Sequence, residues 1–537
     1  MKVVVVNLVL LVTVWALPRI DPLVETKLGL IRGLQATDGD YSMFLGIPFA
    51  KVNASNPFGP SLPYPEFEDV FEANDDTAIC PQREEFDNQI VGTLDCLHLN
   101  VYVPNKATSR NKLPVLVWIY GGGFSIGFAG RFVHGPKYLV KQDIILVTLN
   151  YRLGPYGFMC LDTPEVPGNQ GLKDQLSALR WIKEHIDSFG GDANKITIFG
   201  ESAGGVSVDY HLISEQEKLF NQVILQSGTA QCPWAVMDSD RNTPTALAKR
   251  LGLDTDDVND ALKFLSTVEP DLVIAASLEI PNRFMPCIEK DFDGVEKFIA
   301  NHPVNSAIPK AKDILILSGY NNQEMLVPYV NRPISTLSLN MFKNNLAIMF
   351  DLSNDEDLET IMRQFYVGDE EVSDKIRWDL MNFEADYTFG HPVHRSLSKY
   401  LDNGGKVYHY IFSYSGDRNF VKYRNNITIG GASHADEISY LFDVSIFKES
   451  PTKEDQLVID RMTTLWANFA KYGDPTPETT DLLPIKWDPI TKDSLPYLNI
   501  DNELTLGSRP FHKRTTFLDL FYKTNEHLLK ANQRQNK

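Results

Sequence analysis

The stretch "KITIFGESAGGVS", Lys195 to Ser207, runs from apolar and β-branched residues into a serine fenced by glycines, and then into residues that suit a helix. A strand, a sharp turn of small residues and a helix is the geometry that lifts a serine Oγ above the end of a parallel sheet. The same bare pattern, Gly-x-Ser-x-Gly, occurs earlier at Gly123 to Gly127 ("GFSIG"), after the strand-like "VLVWIY". There the following "GFAGRFVHGP" carries glycines and a proline that cannot support an immediate helix. Context therefore selects Ser202 over Ser125 as the nucleophile.

Working outward, "HLNVYVP", "LPVLVWIY", "DIILVTLNY", "QVILQSG", "DILILSG" and "KVYHYIFSY" are short and mostly continuously apolar, as strands buried on both faces are. Between them "GLKDQLSALRWIKEHIDSF" places Leu176, Leu179, Ile182 and Ile186 at helical spacing and stops at Gly190-Gly191. A second helix is expected over about Glu454 to Tyr472, ended by Gly and Pro. This alternation predicts an α/β fold, a large mostly parallel sheet flanked by helices. No repeat, low-complexity tract or linker divides the chain, so one domain is expected.

The loop "GGGF", Gly121 to Phe124, offers backbone N–H groups with no side chains in the way. The N–H groups of Gly122 and Gly123, with that of Ala203 after the nucleophile, are the candidate oxyanion donors. A serine also needs a base and an acid that orients it, in the chain order Ser, acid, His. Glu324 follows the strand "DILILSG" directly, at an active-site edge. Six histidines come after it: His391, His394, His409, His434, His512 and His527. His434 lies in the small-residue loop "GGASHADEISYLF" and His409 inside a strand, but chain order alone does not separate His434 from the other five together.

The 537 residues carry 51 basic and 70 acidic side chains, a formal charge of -19, with no basic stripe interleaved with aromatics. Nucleic acid is not the expected partner. Residues 1–16 combine a lysine, a short apolar run and a small-residue cleavage site, which reads as a secretory signal peptide ahead of a mature chain at 17–537. That run is shorter than the ~20 residues a spanning helix needs, and no other segment is expected to span a membrane. In the oxidising compartment this implies, Cys80 and Cys96 close a short loop and are expected to pair. Cys160, Cys232 and Cys287 are expected to remain buried thiols. Asn53 and Asn426 head glycosylation sequons. No metal-ligand cluster or cofactor motif is present, so neither metal nor cofactor is expected.

Long ordered motifs then match a known family. "FLGIPFA", "DCLHLNVYVP", "NYRLGPYGF", "GNQGLKDQ", "FGGDANKITIFGESAGG", "GYNNQE", "SHADEISYLF" and "WANFAKYGDP" resemble the type-B carboxylesterases, the cholinesterase-like branch of the α/β-hydrolase fold, over nearly the whole mature chain. The overall texture is similar to secreted insect esterases, antennal enzymes that clear volatile acetates among them. The resemblance implies a carboxylic ester hydrolase with Ser202 as nucleophile, Glu324 as acid, His434 as base, the oxyanion hole already named and a Cys80–Cys96 disulfide. Departures exist: Tyr120 replaces the histidine that many carboxylesterases carry before the glycines, and Leu94 and Met325 replace a usual glutamate and glycine. The cation-binding tryptophan of cholinesterases is missing between the first two cysteines, where Phe86 is the aromatic, so choline esters are not the expected substrates. The second family disulfide is expected to be absent. The competing reading is a non-catalytic member of the superfamily, an adhesion or ligand-binding protein; such members lack a triad residue, and here all three positions are filled.

Overall fold

A computed structural model describes residues 21–281, 283–353 and 357–534. The segment read as a signal peptide lies outside them. Eleven strands make one sheet: β1 (Leu34–Gln35), β2 (Tyr41–Pro48), β3 (His98–Pro104), β4 (Leu113–Ile119), β5 (Ile145–Leu149), β6 (Gly191–Glu201), β7 (Gln222–Gln226), β8 (Leu315–Asn321), β9 (Lys406–Phe412), β10 (Pro496–Ile500) and β11 (Thr505–Ser508). Their spatial order is 11-10-9-8-7-6-4-5-3-2-1. From β5 across to β10 neighbours run parallel, whereas β3 pairs antiparallel with both β5 and β2, and β11 closes the other edge antiparallel. "HLNVYVP", read together with the parallel strands, is thus the antiparallel shoulder of a mixed sheet.

Every residue of β4, β5 and β7 is buried, and apart from Thr148 in β5 and the glutamines at the two ends of β7 they are apolar, as strands covered on both faces are. Three helices matter for the site: α1 (Gln170–His185), α2 (Ala203–Ile213) and α3 (Lys453–Tyr472). α1 continues as a 3₁₀ turn over Ile186–Phe189 and stops at Gly190 in the left-handed region, where the Gly-Gly pair predicts a stop. Chain order is kept along the sheet except that β4 and β5 exchange places, and ligand sites of open α/β sheets gather where strand order reverses.

The chain segments around α1 are tied by buried polar groups. Arg152 and Asp174, both wholly buried, form a two-pronged ion pair with Nε–Oδ2 and Nη2–Oδ1 at 2.7 Å, and Nη1 of Arg152 donates to the carbonyls of Pro57 and Gly59. Asp174→Ala leaves an uncompensated guanidinium in the interior, so it should lower unfolding free energy by about 3–5 kcal/mol, read as a shift of the denaturation midpoint.

The cysteines depart from expectation. Cys80 is bonded to Cys96, but Cys160 is also bonded to Cys287, across 127 residues, and only Cys232 is a free, buried thiol among the described residues. Sequence spacing points to the Cys80–Cys96 pair alone, because a short loop announces its closure and a long one does not. The fold brings them together at "GNQG". Asn169 exchanges two hydrogen bonds with the backbone of Cys287, and Gly168, at φ +105°, lets the chain pass so close that a Cβ there would sit 2.5 Å from the Cys287 sulfur.

Candidate active site

β6 ends at Glu201 and α2 begins at Ala203, so Ser202 alone makes the turn, at φ 57° and ψ -123°. A non-glycine residue there stores on the order of 1–3 kcal/mol. The turn is possible because the residues two positions to either side lack side chains: a Cβ on Gly204 would lie 2.0 Å from the Ile119 carbonyl, and one on Gly200 would strike the Gly204 backbone at 2.5 Å. The Ser202 N–H donates to the Gln226 carbonyl at 2.9 Å, anchoring the elbow to β7.

Glu324 sits in the loop after β8, and His434 in the loop that leads into a 3₁₀ turn over Asp436–Tyr440. The two loops are joined through their backbones, His434 N–H to the Glu324 carbonyl at 3.0 Å and Gln323 N–H to the Ala432 carbonyl at 3.0 Å. That pairing sets the side chains. His434 Nε2 lies 2.8 Å from Ser202 Oγ and Nδ1 lies 2.6 Å from Glu324 Oε2. The other Glu324 oxygen accepts from Ser227 Oγ and from the Asn321 N–H, each at 2.7 Å. A carboxyl group with a hydroxyl and a backbone N–H aimed at its other oxygen is placed to accept, so Nδ1 carries a proton and Nε2 is the nitrogen that can exchange one with Ser202.

Three of the other five histidines have structural partners: His409 Nδ1 bonds the Ser318 carbonyl, His394 Nε2 the Tyr320 hydroxyl, and His391 Nε2 pairs with Asp519. Ser125 is exposed, and its Oγ donates to the Gly123 carbonyl 3.2 Å away. Its glycines serve a different turn, in which Gly122 and Gly123 take φ 102° and 59°. A Cβ on Gly123 would meet no atom within 4 Å, so this backbone borders open space.

Two cavities meet at Ser202. One, about 270 Å³, is lined by Gly122, Gly123, Glu201, His434, Trp118 and Phe420, among others. The second, about 570 Å³, takes in Trp234, Met285, Met325 and Phe389. A larger concavity of about 800 Å³ around Lys137 and Arg418 holds none of these groups.

Sequence reasoning missed several neighbours. Phe389, on a π-turn over Asp386–Gly390, packs its ring 4.4 Å from that of His434. Glu437, fully buried, accepts from Asn321 Nδ2 and Gln226 Nε2. Glu201 puts a carboxylate oxygen 3.2 Å from His434 Nε2. Three buried carboxyl groups thus crowd one imidazole. Burial, reinforced by the other glutamates, pushes Glu201 up to about 8 and Glu437 to about 7. Burial works against the imidazolium, but Glu201, Glu324 and Glu437 together outweigh it and raise His434 to about 9.

Residues 20–518 match the model of the carboxylesterase family. The chain belongs to the carboxylesterase family. It is 32% identical to human bile salt-activated lipase over 92% of this chain and 67% of that one. To juvenile hormone esterase of Tribolium castaneum it is 33% identical, over 85% and 84%. Among solved structures, juvenile hormone esterase from Manduca sexta, with OTFP covalently attached, superposes with a TM-score of 0.82 at 26% identity, covering 94% of this chain and all of that one. This carboxylesterase accordingly has the α/β-hydrolase fold and is a carboxylic ester hydrolase.

Proposed function

We propose that this carboxylesterase hydrolyses uncharged esters through an acyl-serine intermediate formed on Ser202, with His434 as general base and Glu324 as the acid that orients it. The observation that carries this reading is the unbroken chain Glu324–His434–Ser202, at 2.6 and 2.8 Å, opening on two cavities beside a glycine loop. His434 takes the Ser202 proton as Oγ attacks the ester carbon, returns it to the leaving alcohol, and then activates water for deacylation. The N–H groups of Gly122, Gly123 and Ala203 receive the oxyanion, each contributing on the order of 2.7–4 kcal/mol in the transition state. No cofactor enters this scheme. The two cavities accept the acyl and alcohol halves, a capacity that suits volatile or xenobiotic esters.

Secretion belongs to the same proposal: cleavage after residue 16 and a mature chain at 17–537, with glycans on Asn53 and Asn426. Supporting it are the two disulfides and the exposure of Asn426. No helix of the described residues is long and apolar enough to cross a membrane. A fluorophosphonate tests the chemistry: peptide mass spectrometry should find one adduct per chain, on Ser202, and a label on Ser125 or none at all would refute the assignment.

The carboxylate cluster makes a pH prediction. Catalysis needs His434 unprotonated, so kcat/KM falls as pH drops through the raised value of the coupled group. Glu201→Gln removes a negative charge 3.2 Å from Nε2. It withdraws support from the imidazolium, so the acid limb should move to lower pH by about one unit or more. An acid limb that stays in place would show that Glu201 does not set this titration.

A further inference from the structure

The small cavity has an unusual wall. The loop closed by Cys80–Cys96 presents Glu85 and Phe86, and across from it the helical turn Phe420–Arg424 presents Phe420. Glu85 and Phe420 line the same cavity as Ser202. Phe86 and Phe420 have ring centroids 6.5 Å apart with planes inclined at 64°, and Phe132 stands edge-on behind Phe86 at 5.1 Å. Two ring faces and a carboxylate are what recognises an organic cation, since the ring quadrupole and the anion both attract positive charge. Here a cation already occupies that position. The Arg424 guanidinium carbon lies 4.3 Å from the Phe86 centroid and 5.4 Å from that of Phe420, while its nitrogens donate to Glu85 Oε2 at 2.6 Å and to the Glu85 carbonyl at 2.7 Å.

We infer that Arg424 is a specificity-determining residue: as a resident cation it fills the aromatic and acidic site beside the small cavity, and so turns away esters of cationic alcohols while admitting neutral ones. Three effects act in one direction. Glu85 is neutralised, the Phe86 face is covered, and a second cation brought nearby meets repulsion from the guanidinium. The guanidinium suits the post because its planar fork holds side chain and backbone of Glu85 at once while it stacks on a ring. Arg424 acts through the shape and charge of the wall and touches no reacting atom.

The inference rests on ester hydrolysis at Ser202, so its test carries an arm that needs no turnover. Hydrolysis of butyrylcholine is compared with that of its neutral isostere, 3,3-dimethylbutyl butyrate, in the wild type, Arg424→Ala and Arg424→Lys. The choline-to-neutral ratio of kcat/KM should rise about tenfold in Arg424→Ala and stay at the wild-type level in Arg424→Lys. In parallel, calorimetric titration with tetramethylammonium should show binding about tenfold tighter to Arg424→Ala than to the wild type. If Arg424→Ala does not fold, Arg424→Gln removes the same charge with most of the stem kept, and both readouts should move the same way by less. An unchanged ratio with the neutral ester still hydrolysed, or equal tetramethylammonium affinity in all folded forms, overturns the inference. A wild type inert toward the neutral ester, alongside the expected change in tetramethylammonium affinity, overturns the hydrolase reading and leaves the role of Arg424 standing.

Discussion

Ser202→Ala should abolish turnover of a short p-nitrophenyl ester, lowering kcat on the order of 10⁶-fold, while Ser125→Ala should stay within about twofold of the wild type. The contrast follows from the surroundings of the two serines rather than from their shared spelling. Ser202 Oγ has an imidazole nitrogen at 2.8 Å, the far nitrogen of that ring is held by a buried carboxyl group, and in the proposed mechanism removing the oxygen removes the atom that forms the acyl bond. Ser125 Oγ is exposed and bonded to a carbonyl of its own turn. The methyl left by Ser202→Ala fits the existing space, so the variant should keep the wild-type melting temperature, and a silent enzyme can be separated from an unfolded one. Full activity in Ser202→Ala, or silence in a folded Ser125→Ala, would reverse the assignment.

What the sequence made legible was local. The elbow could be read because a strained turn needs small residues within two positions of Ser202, and the strands because burial on both faces leaves unbroken apolar runs. Glu324 could be placed by lying directly after a strand. The histidine beside Ser202 was harder to single out, since His434 reaches it only through the pairing of two loops 110 residues apart in the chain. Once folded, the other internal histidines prove to be held by Ser318, Tyr320 and Asp519, contacts with no trace in spacing. The Cys160–Cys287 bond and the carboxyl crowd of Glu201 and Glu437 were hidden for the same reason: each depends on segments that the sheet brings together. Arg424 carries no motif at all, and its meaning appears only when Glu85 and two rings are found around it.

Glu324→Gln should cost on the order of 10⁴ in kcat while leaving the site's shape nearly intact. A glutamine amide has one accepting and one donating end, and Glu324 is required to accept at both. Oε1 takes hydrogen bonds from the Ser227 hydroxyl and the Asn321 N–H, and Oε2 faces His434 Nδ1. If the amide NH₂ turns toward Ser227 and Asn321, it confronts a backbone N–H that cannot reverse its polarity, at a position 1% exposed where water cannot relieve the clash. The amide will therefore turn its NH₂ to the imidazole. Nδ1 must then accept, the proton moves to Nε2, and Nε2 meets the Ser202 hydroxyl as a donor instead of a base. Loss of the carboxylate charge also removes support for the imidazolium formed during attack, so the defect falls on kcat more than on KM. Glu324→Asp keeps the charge but shortens the reach, and should recover part of the rate where Glu324→Gln does not. Equal activity in Glu324→Gln and wild type, measured on the same neutral ester, would mean that the imidazole is oriented by another group; Glu201, 3.2 Å from Nε2, is on the wrong nitrogen to do it.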